Sequence, residues 1–181
     1  VKRLDKQFIA DTYSRAQVDI VSGKGAVVVD GEGREYVDFT SGLGVNLLGY
    51  SHTGWNDAVK RQLQETAHVS NLFFSRPQVQ LAKALCERTN LKKSVFTASG
   101  GEAMEVALLA ARKYSVEKYN QHRTQVLVLS GGYYGSTMLA SVASGKTYPG
   151  FSAEALQIKH IAPNDTQMLT ESISENTCAI V

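Results

Sequence analysis

The stretch that decides the fold is Ser94-Val-Phe-Thr-Ala-Ser-Gly-Gly-Glu-Ala-Met-Glu105. The apolar pair Val95 and Phe96 predicts a short strand, and the Ser-Gly-Gly sequence that follows predicts a turn. From Glu102 onward, apolar residues return at helical spacing, which predicts a helix. A helix that starts directly after such a turn leaves unpaired N–H groups and the positive end of its dipole at one point, which favours an anion. Glycine lets the backbone approach an anion closely, so the sequence predicts a phosphate site here. The alternative is a tight turn that merely caps the helix.

Outward from this stretch, strands and helices alternate along the chain. Apolar runs at 125–129, 158–161 and 177–181 predict strands, and the segments between them predict helices. This alternation predicts an α/β fold with a mostly parallel sheet flanked by helices. A second glycine turn, at 131–135, directly follows a strand. Because ligands bind at the carboxyl ends of parallel strands, we expect both glycine turns to face one crevice.

The first 50 residues form a different kind of segment. The stretches 26–30 and 34–39 flank a Gly-Glu-Gly turn, which predicts a β-hairpin, and a short helix is expected before it. The apolar stretch 41–49 is broken by glycines, which predicts a loop packed against a core or an interface. We therefore expect an N-terminal segment at 1–50 and part of a large α/β domain at 51–181.

Two helices are expected between the hairpin and the central turn. Thr53 can cap the first, which runs to about Thr66, and Pro77 opens the second. The loop between them is aromatic and mostly uncharged. Its Phe73 and Phe74 can contact a substrate or a second subunit, and interfaces are the commoner place for such aromatic residues.

Composition excludes several classes of function. The chain has 181 residues and a net charge of +2, with no stripe of Lys or Arg, so no nucleic-acid partner is expected. Cys86 and Cys178 lie outside any metal-binding spacing, and no metal site is expected. Cys86 falls on an apolar helix face, which predicts a buried thiol. The sequence shows no signal peptide and no run long enough to span a bilayer, which favours a cytoplasmic protein without a membrane partner.

The stretch Ala140-Ser-Val-Ala-Ser-Gly-Lys-Thr147 fits a loose P-loop pattern, which would make the chain a nucleotide-binding module. A P-loop needs a strand before it and a helix directly after it. Here 138–142 predicts a helix, and Tyr148-Pro-Gly150 ends any helix that follows. The pattern is therefore a remote alternative, which protection of Lys146 from chemical labelling by ATP would support.

Several landmarks occur in one order along the whole chain. They are Gly31-Glu-Gly-Arg-Glu-Tyr-Val-Asp-Phe39, Ser41-Gly-Leu-Gly-Val-Asn46, Gly49, His52, His68-Val-Ser-Asn-Leu72, Pro77-Gln78, Ser99-Gly-Gly-Glu-Ala103, Ala111-Arg-Lys-Tyr114 and Gly135. In this order they resemble the class III aminotransferases, a group of fold-type-I pyridoxal-phosphate enzymes. The resemblance is strongest to the acetylornithine and ornithine aminotransferases. It implies a homodimeric enzyme of amino-acid metabolism, such as arginine biosynthesis, with amino acids and keto acids as small-molecule substrates.

The resemblance also implies roles in binding pyridoxal 5'-phosphate. Ser99, Gly100 and Gly101 would hold the cofactor phosphate, in agreement with the helix start described above. Glu102 would lie beside the cofactor, although an acid in the first helical turn also favours the helix by itself. Tyr133 would stack on the pyridine ring, because stacking needs a flat π-system rather than one particular side chain.

The positions implied for substrate binding depart from the family pattern. Tyr134 and Ser136 fall where substrate contacts are expected, with packing as the alternative for Tyr134. Ser136 replaces the arginine of acetylornithine-type members, and a hydroxyl cannot reproduce a bidentate guanidinium–carboxylate pair. Ala98 and Met104 replace polar residues that support the cofactor pocket. These departures leave open a degenerate, non-catalytic paralogue or a partner-binding fragment.

The resemblance covers only about the first half of a family member. The lysine that forms the Schiff base, and the aspartate that pairs with the pyridine nitrogen, come later in the family than any landmark matched here. No catalytic residue is therefore assigned to this chain. We expect the N-terminal portion of an aminotransferase with an incomplete large domain, inactive by itself, and associated as a homodimer or with a C-terminal half.

Overall fold

The computed structural model describes residues 1–181, and the chain falls into two compact units, Val1–Arg76 and Pro77–Val181. The sequence predicts an N-terminal segment at 1–50 and a partial domain at 51–181. That division stays a prediction, because these units describe compactness and do not test domain boundaries. None of the helices combines the length and the apolar character that crossing a membrane requires.

The first unit contains an antiparallel sheet of three strands in the order β1-β2-β3. Its elements are α1 (Lys2–Phe8), β1 (Ile20–Lys24), β2 (Val27–Asp30), β3 (Glu35–Val37), α2 (Ser41–Gly44) and α3 (Thr53–Glu65). The predicted hairpin is confirmed by the pairing of β2 with β3, in which Val28 lies opposite Tyr36. Sequence reasoning missed β1, which pairs with the other edge of β2.

A buried carboxylate holds the hairpin turn. The Asp30 side chain accepts hydrogen bonds from the backbone N–H groups of Glu32 and Arg34, both at 2.9 Å. It also accepts from Arg34 Nε at 2.7 Å and from the Tyr36 hydroxyl at 2.9 Å. Burial acts to raise the pKa of Asp30, but the hydrogen bonds from Arg34, Tyr36 and Glu32 outweigh it, and the net pKa lies well below its usual range. The turn therefore depends on the ionised carboxylate.

The start of α3 has an unexpected cap. Thr53 is the first helical residue rather than the cap, and His52 Nδ1 accepts the Trp55 N–H at 3.2 Å. The prediction that Thr53 caps this helix was wrong. An imidazole nitrogen can accept the same N–H that a hydroxyl oxygen would, so His52 satisfies the helix start one residue earlier.

The second unit contains a parallel sheet of three strands in the order β5-β4-β6, with helices between the strands. Its elements are α4 (Arg76–Thr89, which begins at the junction of the units), α5 (Gly100–Lys118), β4 (Gln125–Leu129), α6 (Met138–Ala143), β5 (Ile158–Ile161), α7 (Thr166–Ser172) and β6 (Thr177–Ile180). The predicted α/β fold with a parallel sheet is confirmed.

The core of the second unit forms around the central strand. Val126, Leu127 and Val128 of β4 are fully buried. Of these, Val126 and Val128 pack with Leu108 of α5 and Val142 of α6 in one core. Burying a side chain of this size contributes about 1.5–3 kcal/mol. Because α5 and α6 also contact each other, the core fixes the positions of both helix starts.

The strand predicted at Val95 and Phe96 is absent. Both residues lie in irregular backbone just before α5, and Val95 is 71% exposed. An apolar pair becomes a strand only where a neighbouring strand supplies hydrogen-bond partners, and no strand of this chain pairs with it. The strand prediction was wrong, whereas the turn and helix predicted after it are confirmed.

Candidate functional site

The start of α5 presents free hydrogen-bond donors. Ser99 is the N-cap, and its Oγ accepts the Glu102 N–H at 3.2 Å while its carbonyl accepts the Ala103 N–H at 3.0 Å. The N–H groups of Gly100 and Gly101 have no hydrogen-bond partner. Two free donors thus lie at the positive end of a helix of 19 residues, which is the arrangement that favours an anion. Phosphate binding at this turn stays a prediction.

Glu102 completes the cap from the opposite direction. Its Oε2 accepts the Ala98 N–H at 2.8 Å, while its own N–H donates to Ser99 Oγ. This reciprocal pair is a close variant of the capping box. Glu102 therefore has a local role in capping the helix start. The position of Glu102 beside a cofactor stays a prediction.

The second glycine turn packs directly on this helix start. A Cβ placed on Gly135, whose φ is +130°, would lie 2.6 Å from Gly101 Cα and 3.0 Å from Ala140 Cβ. A Cβ placed on Gly101 would lie 3.0 Å from Thr137 Cγ2. Glycine at position 135 is therefore required for this approach, and a Cβ on Gly101 would press against the Thr137 side chain. By contrast, a Cβ on Gly100 would meet nothing within 4 Å, so this side of the helix start is open. The two glycine turns therefore lie in contact, whereas their sharing of one ligand crevice stays a prediction.

Thr137 lies against the start of α5, and the sequence analysis did not single it out. It is the N-cap of α6, yet its hydroxyl makes no capping bond. Thr137 Oγ1 is buried and has no hydrogen-bond partner, and it would lie 3.3 Å from a Cβ on Gly101. Its signal in the sequence is a threonine between a glycine turn and a predicted helix. A buried hydroxyl without a partner therefore lies against Gly101, next to the start of α5.

Two predicted ligand contacts are accessible. The Tyr133 side chain is 81% exposed, and Ser136 is exposed with no hydrogen bond from its hydroxyl. Both lie in the turn that contacts Gly101. Their roles in stacking and in substrate binding remain predictions, and the structure leaves both side chains free to take them.

Tyr134 differs from these two neighbours because its hydroxyl is already bonded. It accepts the Leu129 N–H at 2.9 Å and lies 3.2 Å from the carbonyl oxygens of both Leu129 and Val181. Its ring packs against the core of the second unit. These contacts support the packing alternative for Tyr134. The predicted contact of Tyr134 with a substrate stays a prediction.

Met104 also has a place in the core. It is half-buried and packs against the cluster that contains Leu108 and Val126. Ala98, the other departure from the family pattern, is exposed and donates its N–H to Glu102. Neither side chain therefore supplies a polar group at the helix start.

The structure does not support the P-loop alternative. Ala140, Val142 and Ala143 lie inside α6 and are at most 1% exposed. The Lys146 N–H donates to the Ser141 carbonyl, and the backbone then forms an isolated bridge between Tyr148 and Phe151 instead of a helix. The segment therefore offers no phosphate-binding loop.

The sequence profile described as aminotransferase class-III matches residues 8–181. The chain belongs to the class III aminotransferases. The acetylornithine aminotransferase of Haemophilus ducreyi is 38% identical over 184 residues, which cover 100% of this chain and 47% of that protein. The succinylornithine transaminase of Photorhabdus laumondii is 33% identical over 180 residues, covering 97% of this chain and 44% of that protein. This class III chain thus spans a little under half the length of these relatives.

Solved structures share the fold. The ornithine aminotransferase of Toxoplasma gondii aligns with a TM-score of 0.88 at 24% identity, over 99% of this class III chain and 44% of that one. A second structure of that enzyme, with a TM-score of 0.87, has partial occupancy of pyridoxal phosphate at its active site. An aminotransferase from Bacillus anthracis aligns with a TM-score of 0.84 at 25% identity, over 98% of this chain and 46% of that one. The family depends on pyridoxal phosphate.

Proposed function

We propose that this chain binds pyridoxal 5'-phosphate and holds its phosphate at Ser99, Gly100 and Gly101. The observation that carries the proposal is the pair of unpaired N–H groups on Gly100 and Gly101 at the start of α5. The close contact of Gly135 supports it, because it fixes this helix start while leaving the Gly100 side open. Membership of a pyridoxal-phosphate family supports the choice of this phosphate over others.

Each residue then has a defined task. The two glycine N–H groups donate to phosphate oxygens, and the helix dipole stabilises the negative charge. The exposed ring of Tyr133 provides an aromatic face for the cofactor ring, while Glu102 lies beside the cofactor and keeps the helix start capped. When bound, the cofactor supplies an electron sink for amino-group chemistry.

The activity that we infer is transfer of an amino group between an amino donor and a keto acid, of the acetylornithine and ornithine type. The similarity to acetylornithine and succinylornithine enzymes supports it. Because the chain spans under half the length of these relatives, the activity is proposed for a protein of their full length. We expect the 181 residues by themselves to bind cofactor without turnover, and a transaminase assay checks this.

Substrate binding is proposed to involve Ser136 and the neighbourhood of Tyr134. The Ser136 hydroxyl is exposed and unpaired, so it can donate one neutral hydrogen bond to a substrate. Such a bond is worth less than the charged bidentate pair that an arginine forms with a carboxylate. We therefore expect weak discrimination of an α-carboxylate at this position, measurable by comparing dissociation constants of an amino acid and the corresponding amine.

A degenerate, non-catalytic protein is the second candidate. The observation in its favour is that Met104 packs into the core and Ala98 is apolar, so neither supplies the polar support that the family pattern contains. The two candidates differ in one measurable property, the affinity for pyridoxal phosphate. Absence of binding at millimolar cofactor would favour the degenerate candidate.

Calorimetric titration with pyridoxal phosphate tests the proposed site. Gly100→Pro removes one donor N–H at the first helical position, where proline is tolerated, and the extended Ser99 (φ −149°, ψ 160°) is compatible with a following proline. Gly100→Ala adds a Cβ at the same place but keeps the N–H, so it controls for bulk. We expect affinity to fall about tenfold to a hundredfold in Gly100→Pro, and much less in Gly100→Ala. Equal affinities in both variants would contradict the proposal.

We also infer that the first unit associates with a second copy of the chain. Large apolar side chains of this unit are almost fully exposed, between 87% and 100%, and burying them against a partner would remove apolar surface from water: Phe39, Leu43, Leu72 and Phe74. The class III resemblance supports a homodimer. Sedimentation velocity should show a dimer that Leu43→Asp weakens and that Glu65→Asp, a conservative change at an exposed position, leaves intact; a monomer in both would contradict the inference.

A further inference from the structure

The hydroxyl of Tyr134 joins the carboxyl ends of two neighbouring strands. It accepts the N–H of Leu129, the last residue of β4, at 2.9 Å. It can donate its proton either to the Leu129 carbonyl or to the main-chain oxygen of Val181, which follows β6, since both oxygens lie at 3.2 Å. A phenol has one proton and two acceptor positions, so these contacts use its donor fully.

The same residue is tied at its backbone. The Tyr134 N–H donates to Ser144 Oγ at 2.9 Å, and that hydroxyl in turn donates to the Ala140 carbonyl of α6 at 2.8 Å. A Cβ on Gly132 would lie 2.7 Å from the Tyr134 hydroxyl, so the turn also wraps closely around the phenol. Tyr134 is thereby anchored to β4, β6 and α6 at once.

Two residues of the predicted site flank Tyr134 in the chain. Tyr133 precedes it with an exposed ring, and Gly135 follows it in contact with Gly101 at the start of α5. An anchor at position 134 therefore sets the position of both neighbours relative to the phosphate-binding turn.

We propose that Tyr134 is a positioning residue: its hydroxyl fixes the turn at 131–135 to the carboxyl ends of β4 and β6, and so holds the Tyr133 ring beside the start of α5. The consequence for the cofactor ring depends on the proposed pyridoxal-phosphate function. The anchoring itself does not. Tyr134 acts through Tyr133, and its hydroxyl is engaged within the protein rather than with a substrate.

Hydrogen exchange of the full chain without ligand tests the anchoring. Tyr134→Phe keeps the packed ring and removes the hydroxyl contacts, and Tyr148→Phe is the matched control, because the Tyr148 hydroxyl makes no hydrogen bond in the same unit. We expect amides at 129–135 to exchange about tenfold faster in Tyr134→Phe only, with peptides from β1 and β2 unchanged. Unchanged exchange at 129–135 would overturn the proposal.

Binding of two probes separates positioning from general support. Inorganic phosphate requires the helix start alone, whereas pyridoxal phosphate also uses the Tyr133 ring. We expect Tyr134→Phe to bind pyridoxal phosphate about tenfold more weakly than the wild type and inorganic phosphate equally well. An equal loss for both probes would overturn the positioning role. If the wild-type chain bound neither probe, the proposed function would fail, and the exchange measurement would still decide whether the hydroxyl anchors the turn.

Discussion

In Pro77–Val181 the buried side chains are uncharged and centre on β4, with α5 and α6 packed over it. In Val1–Arg76 the buried residues are Val28 and Asp30, and hydrogen bonds to the Asp30 carboxylate hold the turn between β2 and β3. Large apolar side chains of that unit, such as Trp55 and Leu63, remain exposed. The first unit thus depends on charge and the second on packing.

This difference explains where the candidate site lies. Two glycine turns can meet within van der Waals distance only if the elements that carry them are held rigidly, and a close-packed apolar core provides that. Gly101 and Gly135 both belong to the unit with such a core. The first unit buries little apolar surface of its own and leaves side chains such as Phe39 and Phe74 exposed, which suits association.

The largest effect is expected from truncating the core of the second unit. Leu108→Ala removes a side chain that is 2% exposed and should lower the free energy of unfolding by about 2–5 kcal/mol. Its neighbour Leu109 is 58% exposed, and Leu109→Ala should lower the free energy of unfolding by about 0.5 kcal/mol or less. Urea unfolding followed by circular dichroism measures both. Similar costs for the two variants would contradict the packing account.

A somewhat smaller effect is expected at the contact between the turns. Gly135→Ala and Gly145→Ala both place a side chain at positive φ, at +130° and +87°, which costs about 1–3 kcal/mol. Only Gly135→Ala also brings a Cβ to 2.6 Å from Gly101 Cα, whereas Gly145 has open space. Gly135→Ala should therefore be the less stable in urea, and only this variant should lose phosphate binding. Loss of binding in Gly145→Ala alone would be inconsistent with the arrangement.

The smallest effect is expected from acid on the first unit. Hydrogen bonds from the Thr40 hydroxyl and N–H, together with the Tyr50 hydroxyl, lower the pKa of Asp38 from 3.8 to about 2. Because the pKa in the folded chain is lower than in the unfolded chain, this stabilisation is complete above about pH 3.8 and is lost as the pH falls through about 2. NMR amide signals of β2 and β3 should weaken over this interval.

Substitution separates Asp38 from general acid effects. Asp38→Asn should remove the part of this pH dependence that comes from position 38, because the ionised acceptor is absent at every pH. Asp57→Asn, at an exposed acid of the same unit that makes no hydrogen bond, should leave the transition unchanged. Identical acid transitions in the wild type and in Asp38→Asn would contradict the role given to this carboxylate.

Local sequence signals predicted the elements whose causes are local. The Ser-Gly-Gly turn with its helix, the hairpin around Asp30 and the strand at Gln125–Leu129 follow from glycine positions and apolar periodicity. The strand predicted at Val95 failed because a strand needs a partner, which periodicity does not reveal. Thr137 was missed for a similar reason, since an orphaned hydroxyl is defined by its surroundings in three dimensions.

The contacts of Tyr134 show the same limit. Its neighbours at Leu129 and Val181 lie 5 and 47 positions away along the chain, and only strand order brings them to one hydroxyl. The family pattern indicated that the position matters, and packing was one of the two alternatives. The anchoring of a turn to two strand ends could be identified only from the fold.

The central claim is that the free N–H groups at the start of α5 bind a phosphate. NMR titration of the chain with inorganic phosphate, and then with pyridoxal phosphate, observes the Gly100 and Gly101 amides directly. We predict that both amide signals shift and saturate with either ligand, and that the Tyr133 ring signals shift only with pyridoxal phosphate. Glycine amides that stay unmoved while the chain binds pyridoxal phosphate elsewhere would contradict the account.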